Sequence, residues 1–148
     1  MKLLVETLET ELSQDFTFSN ESRYNIGAII PYLYLHNAPS GTFQIELIKD
    51  SVTLYSETFT SSDIKASVPT VHNYVHIFYP IVPDHPIYLE KGSFTVKLSA
   101  SGYSVSSSSF IGWIRQFEDL NNILDYIPAD DGHNPLATRI KVYERGIK

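Results

Sequence analysis

The chain has 148 residues and no cysteine, so disulfides, thiolate metal sites and cysteine nucleophiles are all excluded. Its 11 Lys and Arg residues against 17 Asp and Glu residues give a formal net charge of -6 at pH 7. This acidic balance argues against a nucleic-acid partner and against binding to an anionic membrane surface. Length and composition predict one domain over residues 1–148, with a core held by packing alone.

The first residues do not have the pattern of a targeting segment. Only three apolar residues separate Lys2 from Glu6, which is too few for a signal peptide or a membrane span. We therefore expect synthesis in the cytoplasm. For the same reason the sequon Asn20-Glu21-Ser22 is interpreted as an ordinary polar turn rather than a glycosylation site.

Period-two alternation of apolar and polar residues is the strongest pattern, and it predicts β-strands along most of the chain. One face of each such strand would pack in the core and the other would face water. In chain order, the alternation occurs around Phe16 and Phe18, in Thr42–Lys49, in Ser93–Ala100, and around Ile140 and Val142.

Three further segments are apolar on both faces. They predict strands that are packed on both faces or that form a contact surface. They are Ala28–His36, Tyr74–Val82 and Phe110–Phe117. Pro31 and Pro80 lie inside the first two of these segments. Because proline cannot donate to a sheet ladder, each strand is expected to be broken, bulged or at an edge there.

Turn residues separate the strands, and hairpins are the predicted connections. The turns are Ala38-Pro39-Ser40-Gly41, Lys49-Asp50-Ser51 and Glu90-Lys91-Gly92-Ser93. Four serines, Ser106 to Ser109, are interpreted as a loop or an edge.

Helical signals are short. Ser61-Ser62-Asp63 offers N-cap oxygens to a helical turn through Ile64–Ala66, which is predicted to cross from one sheet to another. Apolar residues at helical spacing predict a second short helix within Phe117–Ile127. The polar stretch Pro128–Pro135 that follows is predicted to be an exposed loop.

The two ends of the chain are predicted to form terminal strands or arms, in residues 1–10 and 128–148. Leu3–Leu8 and Thr138–Glu144 could pair with each other or add to the sheet edge of a neighbouring molecule. The loop Ala129–Asn134 would then be a contact arm, and the chain would act as a homo-oligomer or as one copy in a multi-copy assembly.

Histidines and acids give no strong metal or catalytic pattern. His72 and His76 lie four residues apart, with Asp84 and His85 downstream, but in a strand the two imidazoles would be about 13 Å apart by rise. No nucleophile elbow accompanies the serines. The acids Asp119, Asp125, Asp130 and Asp131 could serve glycoside chemistry or hold calcium, but they fall in a polar stretch that favours a solvated surface. No catalytic residue, cofactor or metal is predicted.

Aromatic residues are the candidate contact residues, because an aromatic ring can stack on the apolar face of a sugar. Tyr103 lies beside Gly102 and the serine run and is the best surface candidate. Tyr34 and His36 come second. Trp113 is flanked by isoleucines, which favours core packing over a contact role.

The segment Ile29–Phe117, about 60% of the chain, resembles jelly-roll β-sandwich modules of the carbohydrate-binding or galactose-binding-like kind, as found in accessory proteins of tailed phages. The resemblance rests on a rhythm of strand, glycine turn and aromatic strand in four stretches: SGTFQIELIKD, SETFTSSDI, PIYLEKGSFTVKLSASGY and SSFIGWIRQFED. It implies an all-β, antiparallel jelly-roll-type sandwich with at most short helical turns. It supplies no set of sugar-binding residues.

The expected function follows from this resemblance and from the missing catalytic motifs. The chain is expected to be a non-enzymatic structural protein of a tailed-phage virion, such as a capsid decoration or tail accessory protein, in contact with other virion proteins. The alternative is a carbohydrate-binding adhesin module that binds a host polysaccharide. The two differ in what they bind, and fold alone does not separate them.

Overall fold

The computed structural model describes residues 4–18, 24–66, 74–115 and 138–143. Within these ranges the chain forms ten strands and one short helix. The elements are β1 (Leu4–Thr7), β2 (Glu11–Phe18), β3 (Tyr24–His36), β4 (Thr42–Lys49), β5 (Val52–Phe59), α1 (Ser61–Ala66), β6 (Tyr74–Phe78), β7 (Tyr88–Leu89), β8 (Gly92–Ser101), β9 (Phe110–Arg115) and β10 (Thr138–Tyr143). The predicted helix within Phe117–Ile127 and the predicted loop Pro128–Pro135 lie outside the described residues.

The strands form two antiparallel sheets, so the all-β sandwich expected from the sequence is confirmed. One sheet has four strands in the order β2-β8-β4-β5. The other has six, in which β1, β9, β3 and β10 are neighbours in that order and β6 and β7 also pair with β3.

The four-stranded sheet follows from the strict alternation in β2, β4 and β8. Six apolar side chains of β4 and β8 are buried, as predicted: Phe43, Ile45, Leu47, Phe94, Val96 and Leu98. Because both strands alternate strictly, the sequence also predicts that these six side chains form facing parts of one core, and the facing arrangement is wrong. The two strands are neighbours in one sheet, with Ile45 opposite Leu98 and Leu47 opposite Val96. The six side chains therefore lie side by side on one inner face.

Strand β3 is the centre of the six-stranded sheet and runs without a break through Pro31. The prediction that the strand would be broken, bulged or at a sheet edge at Pro31 is wrong. The strand changes neighbours here, because Pro31 is the last position paired with β10 and pairing with β9 starts at Leu33. The carbonyl of Pro31 still accepts a hydrogen bond from the amide of Tyr79 at 2.9 Å. Pro80 behaves as predicted, since β6 ends at Phe78.

One of the three predicted hairpins is confirmed. Asp50 and Ser51 connect β4 to β5 and have φ angles of 52° and 65°. Two successive positive φ values define a type I′ turn, whose twist matches that of paired antiparallel strands. The other two turns do not make hairpins, because β3 and β4, and likewise β7 and β8, belong to different sheets.

The β3–β4 crossover needs unusual backbone angles. Asn37 and Ala38 have φ angles of 54° and 43°, and Gly41 has 112°. A Cβ on Gly41 would lie 2.9 Å from the carbonyl oxygen of Gly102. The loop therefore depends on glycine at this position for both its angle and its close contact.

Helix α1 connects β5 to β6 and crosses between the sheets, as predicted. Its N-cap is Thr60, one residue before the predicted stretch Ser61-Ser62-Asp63. The amide of Thr60 donates to Asp63 Oδ2 at 2.8 Å, and the amide of Asp63 donates to Thr60 Oγ1 at 3.4 Å, which is a capping box. Ser61 instead donates from its buried hydroxyl to the Pro39 carbonyl at 2.6 Å.

Both predicted terminal strands exist, and both join the six-stranded sheet. They do not pair with each other, since β1 pairs with β9 and β10 pairs with β3. The predicted contact arm Ala129–Asn134 lies outside the described residues.

The core between the sheets combines aliphatic side chains with Phe16, Phe43, Phe59, Phe94 and Trp113.

Candidate functional site

Trp113 is part of the core and does not reach the surface. Its side chain is 0% exposed, and its strand position lies opposite Leu33 of β3. The core interpretation favoured by its flanking isoleucines is confirmed. As a ligand contact, Trp113 is excluded in this conformation because its ring has no accessible face.

Tyr103 is half-buried and its hydroxyl is bonded within the domain. The hydroxyl donates to the Leu8 carbonyl at 2.8 Å and accepts from the Ile111 amide at 3.2 Å. Its ring packs edge-on against Phe43 at 5.4 Å. Burial raises the pKa of this phenol. Tyr103 thus links the segment after β1 to β9, a structural role that the neighbouring glycine and serines did not indicate.

Tyr34 and His36 come together with Phe110 on the outer side of the six-stranded sheet. Both β3 residues point away from the core, because the alternate positions Leu33 and Leu35 are buried. Phe110 lies opposite His36 on β9. The three side chains are called the aromatic cluster below.

The three rings of the aromatic cluster stack on one another. Ring centroids are 5.8 Å apart for Tyr34 and Phe110, 5.5 Å for His36 and Phe110, and 6.4 Å for Tyr34 and His36. The interplanar angles are 16°, 27° and 13° in the same order. Ring faces that contact each other are not available to a sugar, so this arrangement is a packed surface rather than an open stacking platform.

The serine run forms a tight hairpin next to the aromatic cluster, in agreement with its interpretation as a loop. Ser106 and Ser109 bond to each other through both backbone pairs, at 3.1 and 3.3 Å. Asn37 donates from its side chain to the Ser108 carbonyl, and Ser109 donates from its hydroxyl to the Asn37 carbonyl at 3.4 Å. The β3–β4 crossover and this hairpin are therefore held together.

A separate cleft lies where the loop after β6 crosses the first half of β3. Its volume is about 300 Å³. The lining residues are Asn25, Ile26 and Gly27 on β3 and Val82, Pro83, Asp84, His85 and Pro86 on the loop. We call it the β3 cleft. The sequence had suggested Asp84 and His85 only as weak metal candidates.

Polar groups of the β3 cleft are arranged by the loop. His85 Nδ1 lies 2.6 Å from Asp84 Oδ1, and both side chains are more than half exposed. Asn25 also lines the cleft, but its Oδ1 is buried away from solvent and has no hydrogen-bond partner among the described residues. A buried carbonyl oxygen without a donor is energetically unfavourable, and because this atom is shielded from solvent, the cleft does not offer it to a ligand.

Tyr55 of β5 anchors the loop that carries Asp84 and His85. Its hydroxyl donates to Glu57 Oε1 at 2.7 Å and accepts a hydrogen bond from the Asp84 backbone. The His85 ring lies 5.6 Å from the Tyr55 ring. Burial, followed by the bond to Glu57, raises the pKa of Tyr55 above its ordinary value. The loop is thus fixed to the four-stranded sheet while it borders a cleft on the other sheet.

The outer face of the four-stranded sheet is polar and internally paired. Lys97 Nζ lies 3.5 Å from Glu46 Oε1 and 3.9 Å from Glu11 Oε1. The hydroxyl of Thr95 donates to Asp15 Oδ1 at 2.7 Å. These contacts are typical of a solvated sheet face and indicate no ligand.

Metal and membrane features were also sought in the part of the chain that the structure describes. There, no group of three or more His, Asp or Glu side chains could hold a metal ion. His72 and the four acids Asp119, Asp125, Asp130 and Asp131 lie outside that part. Over the same residues, no helix has the length and hydrophobicity needed to cross a membrane.

Comparison of the chain with known protein families, with curated proteins and with solved structures gives no match. Function therefore has to be inferred from the residues and their geometry. Among the residues that the structure describes, two places outside the core combine side chains that could contact another molecule: the aromatic cluster and the β3 cleft.

Proposed function

We propose that this chain is a non-enzymatic structural component of a tailed-phage particle, a capsid decoration or tail accessory protein that acts through protein–protein contacts. The observation that carries the proposal is the order in which the strands pair. We interpret that order as a ribbon rolled into two sheets, the arrangement of a jelly roll, which recurs in viral capsid domains and in lectins.

The ribbon can be followed outward from the type I′ turn. Strand β4 pairs with β5, β3 with β6 and β7, β2 with β8, and β1 with β9. Each pair is one step along a single long antiparallel ribbon. Its rolling then makes β3 a neighbour of β9 and β4 a neighbour of β8. Consecutive strand pairs consequently alternate between the sheets, which explains why two predicted hairpins are crossovers instead.

Protein contacts are favoured over sugar binding by the state of the aromatic side chains. In the aromatic cluster the rings stack on one another, Trp113 is buried, and the Tyr103 hydroxyl is bonded within the domain. A sugar-binding surface needs free ring faces flanked by polar groups. A protein partner needs only shape and charge complementarity.

A carbohydrate-binding adhesin module is the second candidate. It is favoured by the position of the aromatic cluster beside the hydroxyl-rich hairpin Ser106–Ser109, which would supply hydrogen-bonding groups near aromatic carbon. If the cluster opened on binding, Tyr34 and His36 would be its contact residues. A host polysaccharide would then be the partner.

The two candidates can be separated with the purified chain. Labelled protein is mixed with phage particles that lack it and sedimented, and in parallel it is applied to a glycan array. The structural proposal predicts saturable binding to particles, with a fixed number of copies, and no glycan signal. Glycan binding that is lost on Tyr34→Ala, without binding to particles, would contradict it and support the adhesin.

A further inference from the structure

We propose that β1 is exchanged between two copies of this chain, so that each copy places its first strand on β9 of the other. The inference goes beyond the proposed function, because it concerns how copies of the chain join one another, with or without a particle. It rests on the position of β1, on the shape of its site on β9, and on the composition of its connection to β2.

Strand β1 lies at the margin of the fold. It has four residues, forms one edge of the six-stranded sheet, and among the described residues pairs with β9 alone. Strand β2, which follows, forms one edge of the other sheet. The two strands are joined by the connection Leu8–Thr10. A change of direction in this connection would move β1 away and leave the other strand pairings in place.

The site on β9 fits β1 closely. A Cβ on Gly112 would come within 2.4 Å of Val5 Cγ1, so Val5 occupies space that only glycine at position 112 leaves open. Just after β1, Leu8 is 0% exposed and belongs to the core. Its amide donates to the Ile111 carbonyl at 2.9 Å, and its carbonyl accepts from the Tyr103 hydroxyl at 2.8 Å.

These contacts identify the strand that the site accepts. If β1 left without a replacement, the core would lose Leu8, and the Ile111 carbonyl and the Tyr103 hydroxyl would lose their partners, which costs free energy. The identical strand of a second copy restores every one of these contacts. Exchange of an identical element is therefore a low-cost route from monomer to dimer.

The connection between β1 and β2 bends although its residues do not favour a bend. The chain changes direction at Glu9 and Thr10, and both residues are exposed. Tight turns are built mainly from Gly, Pro, Asn, Asp and Ser, whereas a β-branched residue such as Thr10 favours extended backbone. None of those five turn residue types occurs from Leu4 to Glu11.

A straight connection would make β1 and β2 one continuous strand. Their partners β9 and β8 belong to different sheets, so a straight strand cannot pair with both in one chain. Strand β1 would then leave its own β9 and pair with β9 of a second copy, whose β1 would fill the open site in return. Such a contact is the same on both copies, as two-fold symmetry requires. Short connections that are forced to turn favour this kind of exchange.

The test uses disulfides in a chain that has no cysteine of its own. Val5 of β1 lies directly opposite Ile114 of β9, and Cβ atoms in such pairs are about 4.5–5.5 Å apart, close enough for cysteines to form a disulfide. Chains with Val5→Cys alone and chains with Ile114→Cys alone are unfolded together in urea, refolded at high concentration and oxidised. A non-reducing denaturing gel then separates monomers from covalent dimers.

We expect a covalent heterodimer as the main product. Ile114 is 1% exposed, so a cysteine at this position is out of reach of chance collisions between folded chains. Ser13→Cys is the matched control for Val5→Cys, because it places an exposed cysteine on β2, opposite Lys97 in the other sheet. Together with Ile114→Cys it should give no heterodimer.

A longer connection tests the cause of the exchange. Insertion of Gly-Gly-Ser after Glu9 supplies turn residues and slack, so β1 can return to its own β9. In size-exclusion chromatography the original chain should elute as a dimer at high concentration, and the insertion variant should elute as a monomer. With the insertion, the double variant Val5→Cys/Ile114→Cys should form its disulfide within one chain instead of between two.

Three outcomes would overturn the inference. The first is a double variant without the insertion that closes its disulfide within one chain, together with no heterodimer from the single variants. The second is equal heterodimer formation by Val5→Cys and Ser13→Cys. The third is a monomeric original chain at every concentration. No particle takes part in these experiments, so the proposed function stands or falls separately, by the sedimentation and glycan assays.

Discussion

Removal of one hydroxyl group, in Tyr103→Phe, should destabilise the domain although the ring and its packing on Phe43 stay in place. The hydroxyl is bonded to the Leu8 carbonyl and to the Ile111 amide, and both of those residues are 0% exposed. Leaving a buried donor or acceptor unsatisfied costs about 1–3 kcal/mol. Two backbone groups lose their partner, which would double this cost. Because Tyr103 itself is only half-buried, water can partly replace both lost bonds. We expect a loss of about 2–3 kcal/mol in the free energy of unfolding.

The assay is urea unfolding at neutral pH, in which the midpoint should fall while the m value stays constant. A loss of that size is large beside a total stability of about 5–15 kcal/mol for an ordinary domain. Ser104→Ala is the matched control, because it removes an exposed hydroxyl from the adjacent residue and should change stability by less than about 0.5 kcal/mol. If Tyr103→Phe also stays within about 0.5 kcal/mol of the original chain, the hydroxyl does not link the segment after β1 to β9.

Three further predictions test the core, the sheet and the buried phenols. Leu98→Ala should cost about 2–5 kcal/mol, measured by the same unfolding assay, and a cost below about 0.5 kcal/mol would mean that this face is exposed. Gly112→Ala should lower the melting temperature, because the new Cβ would lie only 2.4 Å from Val5 Cγ1. Adding Val5→Ala should restore part of the loss, and no recovery in this double variant would refute the contact. Stability should fall as pH rises above about 10, because burial raises the pKa of Tyr55 in the folded chain and the unfolded chain therefore loses this phenolic proton first. Tyr55→Phe should reduce this pH dependence of the free energy of unfolding. An unchanged dependence would assign it to other tyrosines.

Local sequence patterns were sufficient to predict most strands. Thr42–Lys49 is β4 to the residue, and the turn at Asp50 and Ser51 makes the expected hairpin. Alternation identifies which face of a strand is buried, because the side-chain period in a strand is two. It does not identify the neighbouring strand, so it did not show that β4 and β8 lie side by side in one sheet.

Connections between sheets were harder to predict, since turn residues look similar in hairpins and in crossovers. Asn37 and Ala38 adopt positive φ angles that their identities do not require. Pro31 was judged by its missing N–H alone, whereas its effect depends on the strands that lie beside it. Helix α1 was recognised from its polar start, but its cap is one residue earlier.

The candidate sites were only partly predictable. Tyr34 and His36 were chosen as contact candidates for their position next to the Pro39-Ser40-Gly41 turn, and their role as contacts stays a prediction. They do lie on the outer face of the sheet, where they alternate with the buried Leu33 and Leu35. Their stacking with Phe110 depends on the register of β3 and β9, which no local pattern contains. The β3 cleft joins residues about sixty positions apart, and Asn25 gave no signal in the sequence. An unpaired buried oxygen becomes visible only in three dimensions.

Quantitative mass spectrometry of purified phage particles tests the central claim most directly. Particles from an infected culture that produces this chain are purified on a density gradient and washed at high salt. The copy number of the chain is then measured relative to the major capsid protein. A structural virion component predicts the same ratio in every preparation and after every wash. Abundant chain in the infected-cell lysate, with none in the washed particles, would contradict the claim.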